Sequence, residues 1–271
     1  MNHRGLLDWP GVIFGWFNEL LLMLLPAPLA LAFWALVSSW LTMWVYRRFS
    51  RQDEMAALKP RIKAVQKKLS SYDGEFSGLK PLITENFRLS GKHILLALGP
   101  ALLAGIPVLF VLVWVSNAFG LKMPEAGQPV AVEVLAAESA GEPGDWQWRG
   151  IEADRLETGT ETSGNAEQTA AWTIDWPGEQ ATLRTPQGLP VAVLPPDAPT
   201  PILHQRQWWN LLIANPGGYL EPGSPATAVY LDLPKKQMLP FGPGWMRGWE
   251  FLYFVLLIIG SLALKMVWRI H

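Results

Sequence analysis

Three stretches of this 271-residue chain are long and apolar enough to form helices that cross a lipid bilayer. They cover residues 27–46, 94–118 and 250–268. A spanning helix needs roughly 20 apolar residues to cross about 30 Å of hydrocarbon. Half of all residues are hydrophobic and only 17% are charged, which is too apolar for an ordinary soluble domain of this size. The sequence therefore predicts a membrane protein with three spans and its two ends on opposite sides.

The charged residues divide sharply between the two connecting regions. Residues 47–93 hold eleven basic and five acidic residues, a net charge of +6, whereas residues 121–249 hold eight basic and fifteen acidic residues, a net charge of −7. Short loops rich in Lys and Arg stay in the cytoplasm. We therefore expect a multi-pass protein of the cytoplasmic (inner) membrane, with residues 47–93 and the C-terminus in the cytoplasm. The N-terminus and the acidic region would then lie on the periplasmic or extracellular side.

The apolar segment before the first span is shorter than a span. Residues 10–26 are bracketed by prolines and contain Asn18 and Glu19. We expect a helix lying in the outer interface of the bilayer, with Trp16 and Phe17 at headgroup depth. The alternative is that it forms the first part of one long kinked span. The apolar run continues too long without a small-residue cleavage site to be a cleaved signal, so we expect it in the mature chain.

The basic loop between the first two spans contains a heptad pattern. Five apolar residues recur at spacings of 3, 4, 3 and 4 and so share one helix face: Met55, Leu58, Ile62, Val65 and Leu69. A turn at residues 70–74 precedes a second apolar arm, which we expect to end at Gly91: Leu79, Leu82, Ile83, Phe87 and Leu89. These features predict a cytoplasmic helical hairpin over 47–93, and the alternative is a solvated loop. Its candidate docking residues are basic: Arg47, Arg48, Lys59, Arg61, Lys63, Lys67 and Lys68.

The region between the second and third spans has the pattern of an all-β domain. Short alternating runs punctuated by Gly and Pro are typical of strands, and here they cover residues 130–135, 146–151, 171–176, 181–185, 190–194 and 226–233. A sandwich-like extracytoplasmic domain is expected, with a flexible loop at 157–168. Six of its tryptophans form either a sugar- or peptide-binding platform or core and membrane-facing positions: Trp146, Trp148, Trp172, Trp176, Trp208 and Trp209.

The predicted fold class is therefore an α-helical membrane protein with three transmembrane helices, an interfacial helix, a cytoplasmic helical hairpin and an inserted all-β domain. We expect the second span to bend, because Gly99-Pro100 and Pro107 interrupt its hydrogen-bond ladder. The predicted parts are the N-terminal segment with the interfacial helix (1–26), the first span (27–46), the hairpin (47–93), the second span (94–118), the β domain (121–245) and the third span (249–268).

Residue patterns of known catalytic sites are missing from the sequence. There is no Cys, which excludes disulfides, thiol nucleophiles and cysteine-ligated metals, and only four His are present. There is also no glycine-rich phosphate loop, HExxH or GxSxG motif. We therefore predict no enzyme activity, no catalytic residue, no cofactor, no metal site and no DNA partner. An enzyme with its site in the β domain remains an alternative.

Polar residues inside the predicted spans are costly in lipid and usually face a partner or a wet cavity. The spans carry five such hydroxyl residues: Ser38, Ser39, Thr42, Tyr253 and Ser261. Each could also bond back to its own helix. Together they predict a mildly polar groove within the membrane.

The order of elements and three short motifs resemble the YidC/Oxa/Alb superfamily of membrane protein insertases. Residues 58–65 (LKPRIKAV) look like the family's LQPKIQAM start of the cytoplasmic hairpin, and residues 99–110 (GPALLAGIPVLF) are similar to its FPLLIQMPIF entry to the next span. Residues 248–253 (GWEFLY) resemble the end of the short three-span members, namely the archaeal insertase-like proteins and the third subunit of the ER membrane protein complex. The resemblance covers about half of the chain, residues 10–120 and 245–271.

The chain departs from this family at two points. Many members have an arginine in the first span that makes the groove positive, and this chain has Ser38 at the corresponding position. Bacterial YidC carries its β domain before the interfacial helix, whereas here the β domain follows the second span. The resemblance therefore implies a specialised member.

Two functions are expected from these features. The first is an insertase or membrane chaperone that needs no covalent chemistry. Its groove would accept client or nascent membrane proteins, and its hairpin would dock on a ribosome, a nascent chain or anionic membrane lipids. The second is a scaffold or assembly subunit of a membrane complex, whose β domain binds a partner protein or glycan. Its spans would contact another subunit through small residues, namely Gly99, Ala101, Ala104 and Gly105.

Overall fold

A computed structural model describes residues 5–137, 140, 143–156 and 169–270. The chain forms two compact units. The first unit contains Met1–Leu20 and Val113–Trp249 and carries the β-sheets. The second unit contains Leu21–Leu112 and Glu250–His271 and carries most of the helical residues. The loop predicted at 157–168 lies outside the described residues.

Four helices precede the β region: α1 (Gly11–Leu24), α2 (Ala27–Phe49), α3 (Gln52–Ser70) and α4 (Phe76–Phe119). Two more follow it, α5 (Gly244–Arg247) and α6 (Trp249–Val267). Helices α2, α4 and α6 are long and apolar enough to cross a membrane, and they contain the three spans predicted from the sequence, except that α6 ends one residue before the predicted end at 268. The three candidate spans are thus confirmed, whereas the side of the membrane on which each end lies stays a prediction.

The proline-bracketed segment at the N-terminus folds as a helix of its own. Helix α1 ends at Leu24, and Pro26 is extended, with φ −64° and ψ 154°, just before α2 begins at Ala27. Pro26 is the N-cap of α2, so its missing N–H breaks no hydrogen bond of that helix. The structure therefore has two separate helices here rather than one continuous span. The position of α1 in the bilayer interface stays a prediction.

The predicted heptad face on α3 packs as expected. Met55, Leu58 and Val65 are buried, and Leu58 and Val65 form one hydrophobic cluster with Leu89 of α4. Ile62 and Leu96 pack against this cluster. The helical hairpin is thus confirmed, and its apolar face is the one that the sequence spacing predicted.

The second arm of the hairpin differs from the prediction in two ways. Gly91 does not end it, since α4 continues from Phe76 to Phe119 as one helix of 44 residues that includes Pro100 and Pro107. The arm of residues 47–93 and the span 94–118 therefore share one element, because Gly costs a helix interior only about 1 kcal/mol and the surrounding residues favour helix. Phe87 is exposed rather than packed, since the cluster follows the heptad from Leu89 to Leu96.

The β region contains two antiparallel sheets. Its strands are β1 (Pro129–Ala136), β2 (Gln147–Arg149), β3 (Ala153–Leu156), β4 (Thr169–Asp175), β5 (Ala181–Arg184), β6 (Pro190–Leu194), β7 (Ile202–His204) and β8 (Ala226–Leu231). One sheet has the order β3-β4-β1-β8-β7 and the other β2-β5-β6. All six predicted strands are confirmed. Strands β3 and β7 were missed because they have only four and three residues and show little apolar alternation.

The two sheets share one hydrophobic core. Val130, Val132 and Val134 of β1 alternate toward it, and Leu183 and Leu194 of the smaller sheet belong to the same buried cluster. Alternate strand residues point to opposite faces, so each strand contributes every second side chain to the core. This arrangement agrees with the sandwich-like domain predicted from the sequence.

Candidate functional site

A buried hydrogen bond between two side chains of the candidate spans joins α2 and α6. The Tyr253 hydroxyl donates a hydrogen bond of 2.7 Å to Ser38 Oγ. Both residues have no exposed surface. A buried hydroxyl is costly unless it finds a partner, and these two satisfy each other across the helix pair.

A second hydroxyl lies one residue further along α2. Ser39 Oγ lies 3.0 Å from the carbonyl oxygen of Leu257 on α6 and 2.9 Å from that of Ala35 on its own helix. Its single proton serves either carbonyl. Gly260 stands opposite, where an added Cβ would lie 2.7 Å from Ser39 Oγ. The missing side chain at Gly260 is therefore what allows the two helices to approach so closely.

The remaining two predicted groove residues lie apart from this contact. Thr42 Oγ1 donates to the carbonyl oxygen of Ser38 at 2.7 Å, within its own helix. Ser261 is partly exposed on α6 and has no side-chain hydrogen bond in the described part of the chain. The structure thus brings Ser38, Ser39 and Tyr253 together and leaves the other two outside.

The expected hydroxyl-lined groove stays a prediction, and three of its five residues are closed off in this structure. Ser38, Ser39 and Tyr253 are fully enclosed, so they stabilise a helix–helix contact instead of lining an accessible recess. The physical reason is that closely apposed helices satisfy intramembrane hydroxyls with each other or with backbone carbonyls. Sequence reasoning missed Gly260, although a glycine in an apolar helix is a recognised signal of close helix packing.

The basic residues of the hairpin are exposed. All five on α3 face solvent, as do Arg47 and Arg48 at the end of α2: Lys59, Arg61, Lys63, Lys67 and Lys68. None of the seven forms a salt bridge within the described ranges. The Arg47 guanidinium carbon lies 5.7 Å from the centre of the Trp268 ring, a cation–π distance. The hairpin therefore presents positive charge that acidic side chains of this chain do not neutralise.

The six tryptophans of the β domain do not form one platform. Trp146, Trp172 and Trp176 are buried in the core, and Trp148 packs partly against it. Of the two alternatives that the sequence left open, the core position is therefore the one that these four occupy. The remaining pair, Trp208 and Trp209, is exposed on a 3-10 turn, with ring centres 5.9 Å apart.

No cluster of three or more His, Asp or Glu able to hold a metal ion occurs among the residues that the structure describes. Comparisons of the chain with known protein families, with curated proteins and with solved structures found no match.

Proposed function

We propose that this chain is an insertase-like membrane protein that assists the insertion, folding or assembly of other membrane proteins. The observation that carries this proposal is the packed hairpin. Leu58, Val65 and Leu89 hold α3 against α4, so the lysine-rich faces of α3 stay exposed next to a candidate span. The same hairpin also carries the clearest resemblance to the YidC/Oxa/Alb superfamily.

In this proposal the hairpin is the docking arm. Each Lys or Arg close to an anionic surface contributes about 1 kcal/mol to binding, and salt screens the attraction. A basic arm of this kind suits a ribosome, an acidic nascent chain or anionic lipid. In this proposal residues 47–93 lie in the cytoplasm, where these partners are found, and the β domain lies on the other side. No covalent step and no cofactor is required.

The α2/α6 contact then acts as the closed state of the client path. Interhelical hydrogen bonds in membranes are worth on average about 0.6 kcal/mol, because the separated helices find other partners. A polar flank of a client span can replace Tyr253 as the partner of Ser38 at small cost. The client's apolar part would meanwhile pass into lipid.

A second candidate function is a scaffold or assembly subunit of a membrane complex. The enclosure of Ser38, Ser39 and Tyr253 favours it, because a permanently packed helix pair needs no access from outside. The family's groove arginine is also missing at Ser38. In this case the β domain binds the partner protein or glycan, and client insertion does not depend on this chain.

Depletion of the protein separates the two functions. Newly made membrane proteins with short outer tails are pulse-labelled, and their insertion is followed by protease protection. General loss of protection supports the insertase-like function. Normal insertion together with the disappearance of one stable complex contradicts it and supports the scaffold.

Replacement of hairpin lysines tests the docking arm directly. The depleted cells receive a chain with Lys63, Lys67 and Lys68 changed to Gln, and insertion should stay defective. A matched control changes three exposed basic residues of the β domain to Gln: Lys122, Arg149 and Lys235. This control should restore insertion, and an equal defect in both variants would contradict the proposal.

A further inference from the structure

The β domain exposes an apolar loop that is joined to the N-terminal segment. The loop is the 3-10 turn Trp208–Leu211, in which Trp208 is 74% and Leu211 65% exposed. The N-terminal segment contributes Leu6 and Trp9, which are 62% and 77% exposed. Soluble surfaces expose such side chains singly, whereas here they lie on two segments that hydrogen bonds join. We call these residues, with Trp209 and Leu212, the aromatic patch.

Two hydrogen bonds join the two halves of the patch, and a third holds the Asp8 carboxylate in place within the N-terminal segment. The Asp8 carboxylate accepts from the N–H of Gly5 at 3.0 Å and from the N–H of Ala214 at 2.7 Å. The Leu7 N–H donates to the carbonyl oxygen of Leu212 at 2.9 Å. Gly5 packs so closely that an added Cβ would lie 2.6 Å from that carbonyl oxygen. The patch is therefore a built surface and not two loops that happen to be exposed.

The loop has its polar side chain inside and its apolar side chains outside. Asn210 is only 4% exposed; its Oδ1 accepts from the Gln207 N–H at 2.8 Å and its Nδ2 donates to the Ile213 carbonyl oxygen at 3.1 Å. A loop in contact with water has the opposite distribution. The buried amide thus fixes a turn whose outer surface suits an apolar or interfacial environment.

The patch is continuous in sequence with the apolar surface of α1. Trp9 is followed by Pro10 and then by α1, where Val12, Ile13 and Trp16 are all more than half exposed. Helix α1 in turn ends two residues before the candidate span α2. The N-terminal half of the patch is therefore joined to a candidate span through α1 alone.

We propose that the aromatic patch inserts into the headgroup region of the bilayer and anchors the β domain on the membrane surface. Tryptophan is the side chain that membrane interfaces favour most clearly, because its ring is apolar and its N–H is a hydrogen-bond donor. Arg206, exposed just before Trp208, suits the phosphate groups at the same depth. Lipid is therefore the proposed partner of the patch, since the same chain carries three candidate membrane spans.

The absence of cysteine makes a direct test simple. Leu211 is changed to Cys in the full chain, labelled with an environment-sensitive NBD dye and reconstituted into vesicles of phosphatidylethanolamine and phosphatidylglycerol. The matched control is Leu189→Cys, at a 56% exposed position between β5 and β6. The fluorescence emission of the label at 211 should be shifted to shorter wavelength. Lipids that carry a spin label near the headgroup should quench it, and iodide in solution should not. The emission of the label at 189 should stay at longer wavelength, be quenched by iodide and not be quenched by the spin-labelled lipids.

Two results would overturn the proposal. Equal iodide quenching at 211 and 189 would show that the patch faces water. Protection from iodide at 211 without quenching by spin-labelled lipid would mean that protein, such as a second copy of this chain, covers the patch.

Asp8 provides a second measurement. The Asp8→Ala variant loses the carboxylate that accepts from Gly5 and Ala214. Quenching of the label at 211 by spin-labelled lipid should therefore fall well below that in the chain with Asp8. Asp175→Ala, at an exposed position in β4, is the matched control and should leave it unchanged. Equal quenching in the two variants would contradict the role of Asp8 as the positioning residue, and far-UV circular dichroism confirms that both variants are folded.

Discussion

The Tyr253 hydroxyl reaches across from α6 and donates to Ser38 Oγ on α2 at 2.7 Å, where neither residue is exposed. The two hydroxyls satisfy each other only when these two helix faces meet, and such a bond contributes about 0.6 kcal/mol on average because separated helices find other partners. The pair therefore specifies which face of α6 meets α2. Gly260 and Ser39 make the same two faces approach closely.

Removal of this hydrogen bond should destabilise the chain measurably. We expect Tyr253→Phe and Ser38→Ala each to lower the free energy of unfolding by about 1 kcal/mol, since interhelical hydrogen bonds in membranes reach at most ~1.7 kcal/mol. The double variant should lose less than the sum, because both changes remove one bond. Unfolding of the purified chain in mixed micelles measures this. Ser261→Ala is the control, and additive losses would contradict the pairing.

Addition of a methyl group at Gly260 should disturb the same contact. The new Cβ would lie 2.7 Å from Ser39 Oγ and 3.0 Å from Ser39 Cβ, so Gly260→Ala should destabilise by about 1–3 kcal/mol. Gly99→Ala is the matched control, because a Cβ there meets nothing within 4 Å and helix propensity improves. Unfolding in mixed micelles compares the two variants. Equal stability of both would contradict the close approach.

The apolar cluster of the hairpin, formed by Leu58, Val65 and Leu89, can be tested by truncation of one side chain, and we call it the apolar seam. Leu58→Ala removes a side chain that is only 4% exposed and contacts the cluster with Val65 and Leu89. We expect a loss of about 2 kcal/mol in the local opening free energy, at the low end for a buried Leu because the cluster is small. Hydrogen exchange of α3 amides measures it. Phe87→Ala, at a 73% exposed position, should change little, and similar protection in both variants would contradict the seam.

The seam also illustrates what could be read from the sequence. Met55, Leu58 and Val65 were assigned to one buried face from spacing alone, because helical periodicity depends only on local geometry. The three candidate spans followed from the length of their apolar runs, and six of the strands from the alternation of their apolar residues. The end of the second arm at Gly91 was wrong, since a single glycine does not outweigh the helix formers around it.

The candidate site was predicted only in part. Ser38, Ser39 and Tyr253 were identified because hydroxyls inside apolar runs are conspicuous. Their enclosure was not, because the pattern of one helix does not reveal which face of another helix meets it. The aromatic patch was missed for a related reason, since the hydrogen bonds of Asp8 to Ala214 join residues that lie 206 positions apart.

Lys236 gives a prediction about pH. Its ammonium donates to the carbonyl oxygen of Ala118 at 2.7 Å, at the C-terminal end of α4, and burial lowers the pKa of Lys236 from its ordinary value of 10.5. Between the two pKa values the unfolded chain binds more protons than the folded one. The contribution of this group to stability should therefore rise as the pH increases through that window.

The Lys236→Gln variant should lose this rise, because the Gln side chain does not titrate. Unfolding in mixed micelles, measured at neutral pH and at pH values up to 10.5, compares it with the parent chain. Lys235→Gln, at the exposed neighbouring position, is the control. If both variants follow the parent's pH dependence, the buried ammonium has no such effect.

The basic face of the hairpin should determine how strongly the chain binds an anionic partner. With Lys63, Lys67 and Lys68 changed to Gln, three exposed charges are lost without a change in the apolar seam. At about 1 kcal/mol for each charge, affinity should fall by up to ~100-fold at low ionic strength. Binding of purified ribosomes to the full chain in nanodiscs of zwitterionic lipid measures this, and added salt should reduce the difference.

The triple variant at Lys122, Arg149 and Lys235 carries the same change in net charge on the β domain. Since these charges lie outside the hairpin, the affinity of this variant should match that of the parent, and an equal loss would mean that net charge and not the hairpin directs binding.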